Sequence, residues 1–357
     1  MLTAAVFLLI LTVSVVVHEL AHYFNARSVG VPVRAFSVGL GPVLLRRQWR
    51  GTEWRLSLLP LGGYVDLVGL APEDAGDGTM RYPNEGFASK TFLQKTWVLI
   101  GGVIANFVLA VLLVASVITA APNSSIRQAV AGESFSTTPA VFGYIVPGSP
   151  AEELGLEPGD VVLRLNGLQN PTVNQVQETI RNASRLDLLV RRGDAQVQIS
   201  ETLPPARAGE PRLGVGFDLP PVGFGSALVQ TAGFFARVVP DSVGGFVRAF
   251  GQTFAGQRSA EVVGPVGMVG LASQAAQSGW VAILTFAGLI NFSLALFNLL
   301  PIPGLDGGRI VVAAVVALRG RPFKPGQEEF VNFIGFALLM LFVVLITFGE
   351  VGDLLRR

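Results

Sequence analysis

Cysteine is absent from the 357 residues, and histidine occurs only twice. Without thiols the chain has no disulfides, no thiolate metal site and no cysteine nucleophile. Any metal it holds must be held by imidazole and carboxylate. Charge is scarce as well, with 14% Asp, Glu, Lys and Arg against roughly 25% in soluble proteins. The net charge is +1, so no basic field marks a nucleic-acid partner. Apolar residues fill the space instead. Half of the sequence is hydrophobic and the mean hydropathy is +0.54, which indicates a polytopic protein whose surroundings are the lipid bilayer.

A charge-free stretch opens the sequence, where Met1 to Val17 carries no Asp, Glu, Lys or Arg. MLTAAV lacks the positive n-region of a secretory signal and no small-residue cleavage site follows, so residues 2–24 read as a retained transmembrane helix. Both histidines of the chain close this run, in His18-Glu19-Leu20-Ala21-His22. Two His four apart on a helix share one face about one turn (roughly 5.4 Å) apart, so both can reach one ion. In this H-E-x-x-H arrangement Zn²⁺ takes nitrogen from both His, and the Glu is general base toward the attacking water. The pentapeptide also arises by chance on surface helices. Against chance, only about 16 apolar residues precede His18, short of the roughly 20 that span a bilayer, which puts the motif inside it. Ionisable groups at that depth cost roughly 2.5–3.5 kcal/mol each for Asp, Lys or Arg on insertion scales.

Residues 31–68 change character to β-branched and aromatic runs broken by Gly39, Gly41, Pro42, Gly51 and Pro60, which predicts a β-hairpin turning near Gly51 and a Gly-rich turn at Gly62 and Gly63. Residues 69–92 are polar and Gly/Pro-rich, an exposed loop. A second span follows over about 97–121, where Gly101, Gly102 and Ala105 permit close helix contact and Asn106 can hydrogen-bond across it. From 126 to 203 the pattern is that of a small soluble β/α module. Its strands are expected at 141–146, 161–166, 186–191 and 196–200, with an amphipathic helix at 172–183. The order, and above all PGSPAEELGLEPGDVVLRLNG (Pro147 to Gly167), resembles a PDZ domain. That resemblance implies a groove near Phe142, Gly143 and Tyr144 that receives peptide chain ends.

Residues 204–279 are Gly- and Phe-rich with sparse charge and read as interfacial, amphipathic helices, with a helix opening at Pro265. A third span runs over 280–318 with a break at 301–308. There Pro301 and Pro303 remove backbone donors, Gly304, Gly307 and Gly308 loosen the helix, and Asp306 sits in the gap. A fourth span covers 331–349. The basic loops, Arg27 to Lys95 between spans one and two and Arg319 to Lys324 between three and four, place both on the cytoplasmic side. The metal motif and Asp306 then share that side, with the PDZ-like module outside. Domains are accordingly drawn at 1–125, 126–203, 204–279 and 280–357. Asp306 is the third ligand this topology offers. Two imidazoles and one carboxylate leave a fourth position open, as catalytic zinc requires.

HELAH in the first span, TEWRLSLLPLGGYV after it, one PDZ-like insertion and NLLPIPGLDGG in the third span resemble the site-2 protease family of intramembrane zinc metalloproteases, regulator-of-sigma-factor type. The resemblance implies a four-span inner-membrane (plasma-membrane) endopeptidase with Zn²⁺ on His18, His22 and Asp306 and Glu19 as catalytic base. It further implies a hairpin (39–65) that dips into the membrane and offers a strand edge to substrate, and substrate contacts at Asn298, Pro301 and Pro303, with Gly63 and Asn106 added to that set. Substrates would be single-span membrane proteins, either anti-sigma factors already trimmed or remnant signal peptides, cut in regulated intramembrane proteolysis. Two alternatives stand beside this one. A non-enzymatic PDZ-bearing membrane scaffold has no need of Glu19 or Asp306, and a membrane-anchored protease acting on soluble chains finds no histidine in any extramembrane segment.

Overall fold

The computed structural model describes residues 2–74, 80–83, 85–131, 139–203, 212–219, 221–257, 262–321, 323–324 and 326–354. Part of the expected 204–279 region and of the 69–92 loop lies outside them. Helix α1 (Leu2–Ser28) leads into strands β1 (Val33–Trp49) and β2 (Thr52–Leu67) and the short pair β3 (Glu73–Asp74) and β4 (Met80–Arg81). Helices α2 (Phe92–Ala120) and α3 (Ser125–Ala131) follow. A β/α stretch comes next: β5 (Phe142–Ile145), α4 (Pro150–Glu153), β6 (Val161–Leu165), β7 (Leu168–Gln169), α5 (Val173–Asn182), β8 (Arg185–Arg192), β9 (Ala195–Thr202) and β10 (Val215–Phe217). Helices α6 (Phe224–Phe254), α7 (Pro265–Ser278), α8 (Trp280–Leu299), α9 (Asp306–Arg319) and α10 (Gln327–Leu354) close the described chain. It divides into two compact units, residues 1–110 with 238–357 and residues 111–237.

Helices α1, α2, α8 and α10 are long and apolar enough to cross a membrane. They match the four expected spans with shifted ends. Helix α2 starts at Phe92, five residues earlier than hydropathy suggests, because its first turn carries Gln94 and Lys95. Helix α1 stops where Gly30 takes a positive φ of 71° and the Val31 N–H reaches back to Ala26 O (2.9 Å), a glycine C-terminal cap.

The expected hairpin is present and is more folded than a hairpin. Arg50 and Gly51, both at positive φ, join Trp49 to Thr52, as a two-residue type I′ connection requires. Strand β1 then finds β2 on two sides, since Phe36 partners both Val65 and Trp54, and Ser37 both Tyr64 and Arg55. Bends at Gly39 (φ 85°) and Gly62 (φ 99°) allow it. A Cβ on Gly39 would come within 2.7 Å of Leu59 O, so only glycine fits there. Tyr23 of α1 stacks edge-on against Trp54 (5.2 Å), which in turn lies on Phe36 (4.8 Å). These rings tie the sheet to the helix that carries His22.

The break in the third span is observed, and Asp306 is placed differently from the expectation. It stands at the first residue of α9 rather than within the gap. Leu300 to Leu305 form a tight turn in which Ile302 N donates to Leu300 O (2.7 Å) and Leu305 N to Ile302 O (3.1 Å). Gly304 (φ 94°) donates to Asn332 Oδ1 of α10 (3.1 Å). Cβ atoms at Gly307, Gly308 and Gly335 would fall on the carbonyls of Leu299, Ile302 and Pro303 respectively. Glycine at these places lets three backbones touch, and that contact fixes where Asp306 starts.

Polar side chains also link the helices. Asn291 Nδ2 on α8 donates to Ser14 Oγ on α1 (2.9 Å), and Ser14 Oγ donates to Ile10 O of its own helix (2.7 Å). Glu350 near the end of α10 accepts from the N–H groups of Gly264 (2.8 Å), Val266 (3.0 Å) and Gly267 (3.2 Å). Its carboxylate thus caps the N-terminus of α7, where Pro265 opens the helix as expected. Exposed apolar side chains such as Phe333, Phe336 and Phe348 run along α10.

The second unit has its own core, centred on Phe142, Leu165, Val176, Leu186 and Leu188. Strands β7-β6-β8-β9 form an antiparallel sheet, with β8 and β9 joined as a hairpin from Arg192 to Ala195. Helix α5 opens with a capping box between Thr172 and Gln175, as its sequence dictates. Strand β10, which follows the module's expected end at 203, pairs with β5. Arg192 locks the turn at Asp160 through two hydrogen bonds of 2.8 Å, with Asp160 fully buried.

Candidate metal centre and active site

The four-residue spacing on α1 puts His18 and His22 on one face, ring centroids 4.6 Å apart and nearly perpendicular. Their Nε2 atoms are 3.0 Å from each other. Asp306, brought in by the turn before α9, places Oδ2 3.1 Å from His18 Nε2 and 3.3 Å from His22 Nε2. The three residues form the one metal-capable cluster of His and acid among the described residues. His22 Nδ1 lies 2.8 Å from Val98 O of α2. A carbonyl only accepts, so Nδ1 carries the proton and Nε2 presents its lone pair. Asp306 Oδ2 is buried and takes no well-directed hydrogen bond.

Three acceptor atoms facing one another at 3.0–3.3 Å repel unless a cation lies among them. A tetrahedral ion with ligand bonds of about 2.0–2.1 Å has ligand–ligand edges of about 3.3 Å, so the donor set fits zinc. Nitrogen, nitrogen and carboxylate oxygen are also the ligands zinc hydrolases use.

Glu19 points into the same cavity of about 270 Å³, which His18, His22, Asp306, Tyr64 and Asn298 also line. Its carboxylate accepts from the Val65 backbone N–H. Sequence reasoning did not find this contact, which arises because β2 returns along β1 and leaves the Gly63–Leu67 segment beside α1. The Tyr64 hydroxyl Oη accepts from Arg55 Nη1 (2.7 Å), and Arg55 Nε reaches Glu53 Oε1 at 2.5 Å. Arg309, one turn beyond Asp306 on α9, also borders the cavity and was not singled out.

The remaining expected site residues divide. Asn298 lines the cavity while donating to Leu294 O (3.0 Å). Gly63 lies beside Tyr64, packed on Ser37 O and facing Val15. Pro301 and Pro303 shape the turn, and Pro303 lines a separate apolar pocket with Phe246 and Phe250. Asn106 does not line the cavity; its amide is 3.3 Å from His18 Nδ1. The Gly-rich face read from Gly101, Gly102 and Ala105 explains that approach, because a Cβ on Gly102 would fall on the His18 ring. In the second unit Phe142 is corrected: its ring is in the core and its N–H already donates to Asp160 O (2.9 Å). Both are therefore withheld from any ligand. Tyr144 lies against Gly216 of β10.

A metal site of two histidines and one aspartate, with a glutamate beside it, on helices apolar enough to span a bilayer, defines a membrane metallohydrolase. Comparison with known proteins narrows this. The signature of peptidase family M50 matches residues 6–342. A protein of Rhizobium meliloti (strain 1021) named as a zinc metalloprotease is 32% identical, with 98% of this chain and 96% of that protein aligned. One from Nostoc sp. (strain PCC 7120) is 31% identical over 93% and 91%. Zinc metalloprotease RasP of Shouchella clausii is 25% identical over 99% of each. The chain belongs to peptidase family M50, the site-2 protease family. It is a multi-pass membrane zinc metalloprotease, and the scaffold alternative falls away.

Proposed function

We propose that the enzyme hydrolyses peptide bonds within or next to the transmembrane segments of single-span substrates, of the anti-sigma-factor or remnant-signal-peptide type, in regulated intramembrane proteolysis. The observation that carries this reading is the position of the site on an apolar helix. His18 and Glu19 lie on α1 directly after a charge-free apolar run, in a helix long and apolar enough to span, which supports a scissile bond meeting them inside the bilayer. The basic loops support a site facing the cytoplasm of an inner-membrane enzyme, with the PDZ-like module outside.

His18, His22 and Asp306 would hold the metal. Bound there, Zn²⁺ supplies a Lewis acid for the scissile carbonyl and lowers the pKa of water. Glu19, held by the Val65 N–H, takes the proton of the attacking water and returns it to the leaving amine. A helical substrate has its carbonyls satisfied and must unwind before attack. The Gly63–Leu67 segment of β2, paired to β1 on one side and bordering the cavity on the other, supports an extended substrate laid along it. Asn298 faces that path. The PDZ-like module would act on chain ends or exclude bulky ectodomains.

The test is cleavage of a panel of single-span substrates, with and without ectodomains, by purified enzyme in detergent or nanodiscs. Wild type should cut the trimmed substrates while Glu19→Gln keeps zinc and loses activity by about 10²–10⁴-fold. Cleavage of soluble chains with every single-span substrate left intact would overturn the intramembrane assignment.

A further inference from the structure

We infer that Asn106 is a positioning residue for the metal site. It orients His18 by accepting, through Oδ1, the proton on Nδ1. Asn106 is 1% exposed, on α2, with its amide 3.3 Å from His18 Nδ1. With Nδ2 toward the ring the buried Oδ1 has no partner. A carboxamide has nearly the same shape either way round, with a donor at one end and an acceptor at the other, and the hydrogen-bond network decides which end faces the ring. His18 Nε2 is the atom aimed at His22 and Asp306. For Nε2 to give a lone pair to a cation, a neutral ring must carry its proton on Nδ1. A protonated Nδ1 needs an acceptor, and on this amide only Oδ1 is one. Turning the amide over trades one unpartnered atom for another at the far end and gains a hydrogen bond at the ligand.

The parallel with His22 is direct. Its Nδ1 donates to Val98 O, also on α2. One helix thus supports both imidazoles from behind, once with a backbone carbonyl and once with a side-chain one. Such partners fix tautomer and ring angle, and their loss costs about 10–100-fold in metal affinity.

The experiment uses the full chain in detergent, comparing wild type with Asn106→Leu, which is similar in size and has no acceptor, and Asn106→Asp, which only accepts. Zinc dissociation constants come from chelator competition at fixed pH. Selective ¹⁵N-histidine labelling then gives a spectrum with two imidazoles, the number the sequence contains. Asn106→Leu should weaken zinc binding about 10–100-fold and speed exchange of the His18 Nδ1 proton while leaving the His22 signals in place. Asn106→Asp should restore affinity to within about threefold of wild type or better, since carboxylates are habitual partners of metal-bound histidine. Wild-type affinity in Asn106→Leu would overturn the assignment. So would an Asp variant as weak as Leu at an unchanged melting temperature. If neither variant folds, the zinc-loaded wild-type spectrum decides: a His18 ring with a bare Nδ1 refutes the proposal, and a slowly exchanging Nδ1 proton sustains it.

Discussion

Gly102→Ala isolates the contact between α2 and the metal ligand. Alanine is the better helix former by about 1 kcal/mol, so the substitution favours α2 by intrinsic propensity. The added Cβ would lie 2.5 Å from His18 Nε2 and 2.6 Å from Nδ1, where ordinary contacts begin at 3.4 Å. Relief requires the imidazole, or α2 itself, to move by roughly 1 Å, and a misplacement of that size costs about 10²-fold in rate. Zinc ligands tolerate only about 0.2 Å, so metal affinity should fall as well. The assay is zinc content by mass spectrometry with cleavage rate and melting temperature on the same preparation. Gly251→Ala on α6 is the control, because a Cβ there would meet nothing within 4 Å. It should act within about threefold of wild type, as exposed changes away from the site do. A Gly102→Ala protein with full zinc and wild-type rate would refute the close approach of α2 to His18.

Other expectations follow from the turns and caps. Gly335→Ala drives a methyl onto Pro303 O. It should destabilise the protein by about 1–3 kcal/mol and loosen Asp306, read as a lowered melting temperature together with weakened zinc retention. Glu350→Ala leaves three N–H groups at the start of α7 without their acceptor. The loss should be about 1–3 kcal/mol, with zinc stoichiometry unchanged because the ligands are elsewhere. Removal of metal by a chelator should abolish cleavage reversibly, and readdition of zinc should restore it in wild type but not in Asp306→Ala.

The chemistry of the site was the most legible part of the sequence because its signals are local. The i, i+4 spacing of His18 and His22 needs only a helix, and Pro301, Pro303 and the glycines around Asp306 announce a broken span. What stayed hidden depends on contacts between distant segments. Val98 supplies a backbone carbonyl, which no side chain advertises. Val65 reaches Glu19 through an N–H, for the same reason. The double pairing of β1 could not be read from alternation, since period-two patterning reports which face a residue takes and not which strand lies beside it. Asn106 was noticed as a polar residue in a close helix contact, yet its target was invisible until α1 and α2 were placed together. In the second unit the helix from Thr172 was readable from its amphipathic pattern, whereas β10, arriving after position 203, was not.

The metal ligands are made far apart in time. Asp306 leaves the ribosome about 290 residues after His18, a wait of roughly 15–60 s at about 5–20 residues per second. Throughout it α1 already sits in lipid. Ser14 is provided for by its own helix, through Ile10 O, but the imidazoles are not. Their first partners, Val98 and Asn106, arrive with α2, before the second unit is made. The two histidines are therefore parked, with ring orientation set, long before a third ligand exists to retain a metal. A protease assembled this way stays inert through its own biogenesis and becomes competent only when the last third of the chain has entered the bilayer.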